Sequence, residues 1–544
     1  MQDSMMRMPL LTSSLIRHAA SVHGAVEIVS ALAEGSVHRY TYADACRRSR
    51  RLATALQALG VQQGERIATL AWSSYRHFEI YYAVTGMGAI CHTVNPRLFI
   101  EQVRYTMNHA EDSVVLVDPA FLPLVEEIAP ACPTIRHIIV ITDRASMPVS
   151  RLANLLCYEE LLAAADDGFE WPVLDENTGA YLSYTSGTTG NPKGVIYGHR
   201  STILHTFSMS LPDAMNLSGS SVISPVIQFF HVNAFGLPCA APLVGAKLVF
   251  PGAELDPASL FALFERERVT MTAAVPTLWQ QFLLYLQMNN LRPTTLQNIV
   301  IGGSACPPAL MKAYQEDYGI RIRHVWGMTE TSPLCATNSF REKHAQWTPE
   351  ERYALQAKQG RPLYGVEMKI IDDEGNELPR DGRTYGELVV RGPWICSGYY
   401  KGTSPALTAD GWFLTGDVAT LDSDGYMQIT DRSKDVIKTG GEWISSILLE
   451  SIALSHPDVA EAAVVAVPHP KWDERPLLVV VPKSGTQLDR ESVLAHFRGK
   501  VANWWIPDDV VCVDSLPYTA TGKLEKKRLR EQFKTYQPAS RQRS

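Results

Sequence analysis

Short apolar runs alternate with amphipathic stretches along most of the chain. Residues 137–142 and 296–302 are near-continuous apolar runs, the pattern of strands buried on both faces. From 256 to 268 the period becomes helical. Asp256 stands at the cap position, Pro257 suits the first helical turn, and Leu260, Phe261 and Phe264 share one face. A strand over 270–275 and a helix over 277–287 repeat the alternation, which predicts α/β layers with largely parallel sheets. Near residue 432 the pattern shifts. Asp431-Arg432-Ser433-Lys434-Asp435 is a short charged stretch between two strand-like runs. After it the spacing predicts a helix over 445–455, strands over 459–467 and 477–482, a helix over 490–501 and a basic helix from Leu524, whose Lys526, Lys527 and Arg528 read as surface cations. The chain is therefore read as a large α/β N-terminal domain over 1–433 and a small α+β C-terminal domain over 434–544.

The chain has 544 residues, too many for one ordinary core, and its 46% hydrophobic content sets disorder aside. Lys and Arg number 50 against 57 Asp and Glu, so the net charge of −7 argues against a nucleic-acid partner or a polybasic membrane patch. Nine cysteines lie scattered with no CxxC spacing, the usage of reduced, buried thiols. No apolar run reaches the roughly 18 residues needed to cross a bilayer. Residues 1–15 do not form a cleavable leader, and the final residues match no targeting signal. The expectation is a cytoplasmic protein without membrane insertion.

The chemistry concentrates first at Tyr184-Thr185-Ser186-Gly187-Thr188-Thr189-Gly190-Asn191-Pro192-Lys193-Gly194, after a strand-like run over 179–184. Three glycines and four hydroxyls cannot build a core. Glycine frees the backbone to present N–H groups, the hydroxyls donate to phosphate oxygens, and Lys193 adds a cation. A plain Ser/Thr/Gly linker has no need of the Pro-Lys-Gly ending. The segment is not a Walker A loop, because Pro192 stands where that motif needs glycine.

This loop resembles the hallmark of the adenylate-forming enzymes, the family of acyl-CoA synthetases, firefly luciferase and peptide-synthetase adenylation domains. The resemblance runs from about residue 30 to 530. It implies a large N-terminal domain of layered α/β sheets with a distorted β-barrel part and a small, mobile C-terminal domain. It implies ATP, Mg²⁺ and coenzyme A as cofactors, a small-molecule carboxylic acid as substrate and, since the family is often dimeric, a homodimer. In Trp326-Gly327-Met328-Thr329-Glu330-Thr331, after a strand over 320–325, it implies that Trp326 stacks on adenine, Thr329 reaches the α-phosphate, and Glu330, with Thr185, holds Mg²⁺. Taken alone, that segment reads as a surface turn with one acid. Gly302-Gly303-Ser304-Ala305 ends a strand and would wall the acyl and adenine pockets, though a simple strand-to-helix turn explains the glycines equally well. Asp417, in Trp412-Phe413-Leu414-Thr415-Gly416-Asp417, and Arg432 are matched to the ribose. Lys434 and Asp435 fall at the hinge about which the family's C-terminal domain rotates between half-reactions. Lys438-Thr439-Gly440-Gly441-Glu442-Trp443, a turn before a helix, resembles the loop that forms the pantetheine tunnel, with Glu474 a candidate for the same face. In Pro517-Tyr518-Thr519-Ala520-Thr521-Gly522-Lys523, Lys523 matches the catalytic lysine that bridges carboxylate and α-phosphate. Tyr518 stands where relatives often carry a basic residue.

Phe229-Phe230-His231-Val232-Asn233-Ala234-Phe235-Gly236 resembles the segment that opens the acyl pocket, with His231, Val232, Asn233, Phe235 and Gly302 lining it. Phe235 replaces the tryptophan that many relatives carry at the gate. Phe229 and Phe230 read equally well as a buried aromatic cluster. The segment has no cationic side chain, so a neutral, apolar acyl tail is favoured over an amino acid. Over its length the chain is most similar to medium-chain acyl-CoA ligases, including the 3-methylmercaptopropionate ligases, which implies a short- to medium-chain acid. Long-chain and aryl acids stay open. So do three other classes: a module that loads a carrier protein, a luciferase-like oxygenase, and a non-catalytic ATP-binding regulator.

Overall fold

The computed structural model describes residues 4–32, 35–185, 191–402, 407–439, 442–486, 488–518 and 524–536. The chain is a mixed α/β protein that forms two compact units. One comprises Met1–Thr185, Asn191–Glu367 and Arg391–Leu407; the other gathers Met368–Val390 with the chain from Thr408 onward.

The first unit contains two large sheets. In the nine-stranded sheet the run Arg321–Gly327, Asn298–Ile301, Met271–Ala274, Val222–Pro225, Lys247–Phe250, Glu27–Ala31 is parallel throughout, with antiparallel strands at both edges. The seven-stranded sheet is parallel from Leu156–Cys157 to Gly179–Tyr184 and ends on the antiparallel Gly194–Gly198. The expected helix appears as Pro257–Glu267, and the Asp256 carboxylate accepts from the Ala258 and Ser259 amides. Its Leu260 and Phe264 join Trp279, Phe282, Ile299 and Ile301 in a core under the larger sheet. The strands at Met271–Ala274 and Asn298–Ile301 are buried, as continuous apolar runs require.

The second unit holds a sheet of four strands, Glu367–Ile371, Gly386–Arg391, Phe413–Leu421 and Met427–Arg432. It also holds an α+β lobe around Val459–His469 and Asp473–Pro482, with the helix Ser446–Leu454 capped by Ser445. Three expectations shift here. The helix foreseen over 490–501 is Arg490–Ala495, after which the chain runs through turns and Arg498 bridges Val501. The basic helix starts at Lys526 rather than Leu524, since Leu524 pairs as an antiparallel bridge with Tyr518. Lys526 is no surface cation: it is buried, with its amine 2.6 Å from Glu450 and bonded to Ser446.

All nine cysteines are free thiols, six of them buried, with Cys46 and Cys396 half-buried and Cys512 exposed. No helix among the described residues is long and apolar enough to cross a membrane.

Four histidines of the first unit, His77, His199, His205 and His324, are buried, and burial pushes their pKa values down to about 4, or about 3 for His205. The folded protein holds them neutral while the unfolded chain takes up protons from about pH 6.5 downward. Their contribution is intact above pH 6.5 and is lost as the pH falls toward 4. The urea midpoint at fixed temperature should fall progressively between pH 6.5 and 4, and His205→Gln should make that fall shallower.

Candidate active site

Four candidate segments leave the C-terminal ends of strands in the first unit. Val222–Pro225 runs into the Phe229–Gly236 segment, Asn298–Ile301 into Gly302 and Gly303, Arg321–Gly327 into Met328, Thr329 and Glu330, and Gly179–Tyr184 into Thr185. Open α/β sheets bind ligands at that edge, because the chain is free to turn there and strand ends present backbone groups.

At the phosphate loop the two strands pair antiparallel, with Tyr184 opposite Gly194. The Thr185 amide donates to the Lys193 carbonyl at 2.9 Å, and the Lys193 amide donates to Thr185 Oγ1 at 3.1 Å. The base of the loop is thereby closed. Ser186, Gly187, Thr188 and Thr189 lie outside the described residues.

Glu330 is buried rather than exposed on a surface turn. Tyr399 Oη donates to Glu330 Oε1 at 2.8 Å, and the Cys396 amide donates to the Glu330 carbonyl at 2.8 Å. Beside it, Tyr197 Oη donates to the Thr329 carbonyl at 2.6 Å. Lys193 Nζ stands 4.6 Å from the centroid of the Tyr399 ring, and the Tyr400 amide donates to the Gly194 carbonyl at 2.8 Å. Segment 396–400 thus ties the end of the phosphate loop to the acid. Burial, then the Glu330 carboxylate, push the Tyr399 phenol far up, so it stays a donor. The same two causes push the Cys396 thiol up to about 12. Sequence reasoning passed over Tyr197 and Tyr399. Two adjacent tyrosines after Gly398, in a stretch with no core periodicity, were the available signal.

Gly327 allows the turn into this segment, since a Cβ there would lie 1.9 Å from the Pro333 carbonyl oxygen. Trp326 is buried on its strand opposite Ala336. Ser304 and Ala305 are exposed just beyond Gly303. Among the described residues no group of three or more His, Cys, Asp or Glu could hold a metal ion. One buried carboxylate beside a phosphate loop is nonetheless the donor set Mg²⁺ uses, because that ion takes one or two carboxylates and completes its shell with phosphate and water.

The acyl-pocket segment has an unusual backbone. Val232, Asn233, Ala234, Phe235 and Gly236 all have positive φ, between 42° and 78°. A left-handed turn of L residues costs about 1–2 kcal/mol per residue, so packing must hold it. Tyr81 Oη donates to Asn233 Oδ1 at 2.8 Å, and Ala234 and Phe235 are buried. A Cβ on Gly236 would lie 2.9 Å from His205 Cε1. His205 is itself fixed, accepting the Leu334 amide at 3.1 Å. A Cβ on Gly302 would lie 3.3 Å from Phe235 Cζ and 2.8 Å from Val325 Cγ2, so the bare glycine makes room for the aromatic ring. Phe229 and Phe230 are both buried, with Phe229 packed against His77, Tyr81 and Phe250. The aromatic-cluster reading fits them. The His231 ring lies 5.0 Å from that of Phe230, tilted by 56°.

In the second unit Asp417 and Arg432 are direct cross-strand partners, and Arg432 Nε lies 2.9 Å from Asp417 Oδ1. Asp417 is buried and Arg432 half exposed. The charged stretch is less solvated than expected. Asp431 is buried on the strand Met427–Arg432 and accepts the Ser446 amide at 2.5 Å, and Asp435 pairs with Arg530. Burial pushes the Lys434 amine below its usual value, against the raising effect of Asp435. Trp443 lies on the strand Glu442–Ile444, not at a helix start, because Ser445 takes the cap. It faces Lys438 across the hairpin, with the amine 5.0 Å from its ring centroid. The Lys438 amide donates to Glu474 Oε2 at 2.9 Å, so Lys438, Trp443 and Glu474 do share one neighbourhood. Gly440, Gly441, the Glu442 side chain and Lys523 fall outside the described residues.

Residues 16–400 match the AMP-binding enzyme family and residues 448–523 its C-terminal domain. The chain is 49% identical over 534 residues to 3-methylmercaptopropionyl-CoA ligase of Ruegeria lacuscaerulensis, covering 98% of this chain and 99% of that one. It is 48% identical over 533 residues to a medium-chain-fatty-acid–CoA ligase of Ectopseudomonas oleovorans, covering 98% of both. Among solved structures, ATP-bound MatB from Rhodopseudomonas palustris superposes with a TM-score of 0.81 at 25% identity, covering 96% of this chain and 100% of that one. The anthranilate CoA ligase AuaEII with anthranoyl-AMP has the same fold, with a TM-score of 0.83 at 24% identity over 98% and 99% of the two chains. The chain belongs to the AMP-binding enzyme family.

Proposed function

We propose that the chain is an ATP-dependent acid–thiol ligase, which activates a short- to medium-chain carboxylic acid as its acyl-adenylate and transfers the acyl group to coenzyme A. The observation that carries the reading is the convergence of Lys193 and the buried Glu330 on one tyrosine, 2.8 Å from the acid and 4.6 Å from the amine. An amine at the exit of a glycine-rich loop and a hard-oxygen acid at its side are what a cation-bound polyphosphate needs. Near-full-length similarity to two CoA ligases supports the thiol step and the size of the acid. An acid resembling 3-methylmercaptopropionate, with a thin, neutral tail, suits a pocket segment without cations. We place its action in the cytoplasm, in keeping with nine free thiols.

In the first step the carboxylate attacks the α-phosphorus of ATP and pyrophosphate leaves. Positioning and charge neutralisation dominate such a transfer. Lys193 and Thr185 hold phosphate oxygens, Thr329 meets the α-phosphate, and Asp417 holds the ribose. Glu330 and Thr185 would hold a Mg²⁺ ion, which would supply positive charge to the phosphates. Lys523 offsets the charge that builds between carboxylate and α-phosphate. In the second step the CoA thiol attacks the acyl carbonyl and AMP leaves. Rotation about Lys434 and Asp435 then exchanges Lys523 for the 438–443 hairpin, where Lys438, Trp443 and Glu474 line the thiol's approach.

Two variants separate the half-reactions. Lys523→Ala should slow acid-dependent pyrophosphate release by about 10²–10³-fold while leaving thioester formation from premade acyl-adenylate near wild type. Equal losses in both steps contradict the role of Lys523. Lys434→Pro should do the reverse, giving a burst of pyrophosphate with little acyl-CoA. A Lys434→Pro enzyme with normal thioester turnover rules out the hinge.

A further inference from the structure

The acid Glu330 sits just after the strand Arg321–Gly327 of one sheet and the amine Lys193 just before the strand Gly194–Gly198 of the other, and their flanks meet where Tyr197 Oη donates to the Thr329 carbonyl. The element that joins the two charged side chains is the segment 396–400. It reaches Glu330 twice, through the Cys396 amide to its carbonyl and through the Tyr399 hydroxyl to its carboxylate. It reaches the phosphate loop twice, through the Tyr400 amide to the Gly194 carbonyl and through the Tyr399 ring to the Lys193 amine. One side chain therefore uses its hydroxyl on the acid and its ring face on the cation.

We propose that Tyr399 is the positioning residue of this site: its hydroxyl fixes the rotamer of Glu330 for a divalent cation, while its ring steers the Lys193 amine toward the nucleotide's phosphates. The inference rests on the proposed function and assigns within it a role to a residue that acts through Glu330 and Lys193. A carboxylate bonded through Oε1 keeps one orientation and directs Oε2 outward. Ligating carboxylates that lose such a partner bind metal about 10- to 100-fold more weakly. The ring contribution is separate. A cation over an aromatic face within about 6 Å is attracted by the ring quadrupole, and the attraction survives removal of the hydroxyl.

That separation gives the test. Tyr399→Phe keeps the ring under Lys193 and removes the donor to Glu330; Tyr399→Leu removes both. Mn²⁺ binding to the enzyme–ATP complex, read by electron paramagnetic resonance, and ATP binding in excess EDTA, read by calorimetry, report the two functions without turnover. Tyr399→Phe should weaken Mn²⁺ by about 10-fold and leave metal-free ATP binding within about twofold of wild type. Tyr399→Leu should weaken both. In a Glu330→Gln background, where the carboxylate is gone, Tyr399→Phe should change Mn²⁺ affinity no further. The matching kinetic sign is a raised Mg²⁺ requirement for pyrophosphate release with little change in the KM for the acid.

Wild-type Mn²⁺ affinity in Tyr399→Phe overturns the positioning role while leaving the ligase reading intact. So does a loss of the same size in the Glu330→Gln background, which marks a general structural effect. Wild-type enzyme whose ATP complex takes up no Mn²⁺ overturns the metal-holding site itself, and this inference with it.

Discussion

In the reaction we propose, a carboxylate must approach a triphosphate, and the two repel each other. Two unit charges about 4 Å apart in a protein-like medium oppose one another by roughly 4 kcal/mol, and the triphosphate carries several. In the proposed reaction three features would respond to it: the amine of Lys193, the acid Glu330, which would recruit a cation, and the backbone N–H groups that a glycine-rich loop can present. A flexible arrangement of these groups would cost reorganisation at the moment of attack. Their backbone links therefore matter as much as their charges.

The fold supplies those links cheaply. Parallel strands end together, so segments distant in sequence emerge at one edge of each sheet. Thr185, Gly302, Met328 and the 229–236 turn all leave such ends. Close approach then needs missing side chains. Gly302 leaves space for Phe235, Gly327 for the Pro333 carbonyl, and Gly236 for His205. The left-handed run from Val232 to Gly236 is the most strained part, and it persists because Tyr81, His205 and the buried Phe235 over-determine it.

Much of this was legible in the sequence because the signals were local. The Asp256-Pro257 cap and the buried strands each declare themselves within about ten residues, and the structure has them in place. Where reasoning slipped, the cause was a partner far along the chain. Lys526 read as a surface cation because Glu450, 76 positions earlier, is invisible to a local pattern. Asp431 read as one charge in a charged stretch because its partner Ser446 lies 15 positions later. Trp443 was set in a turn before a helix because a short hairpin strand has no period to recognise. Tyr399 was missed for the same reason: its meaning comes wholly from Glu330 and Lys193, 69 and 206 residues away in the chain.

The central claim is that the acid's own oxygen attacks the α-phosphorus. Isotope tracing tests it directly. With the carboxylate labelled by ¹⁸O, unlabelled ATP and CoA, mass spectrometry of the products should find one ¹⁸O in the phosphate of AMP and none in pyrophosphate. Label in inorganic phosphate with ADP as co-product, or none in any phosphate, would contradict the adenylate route and with it the account of the site.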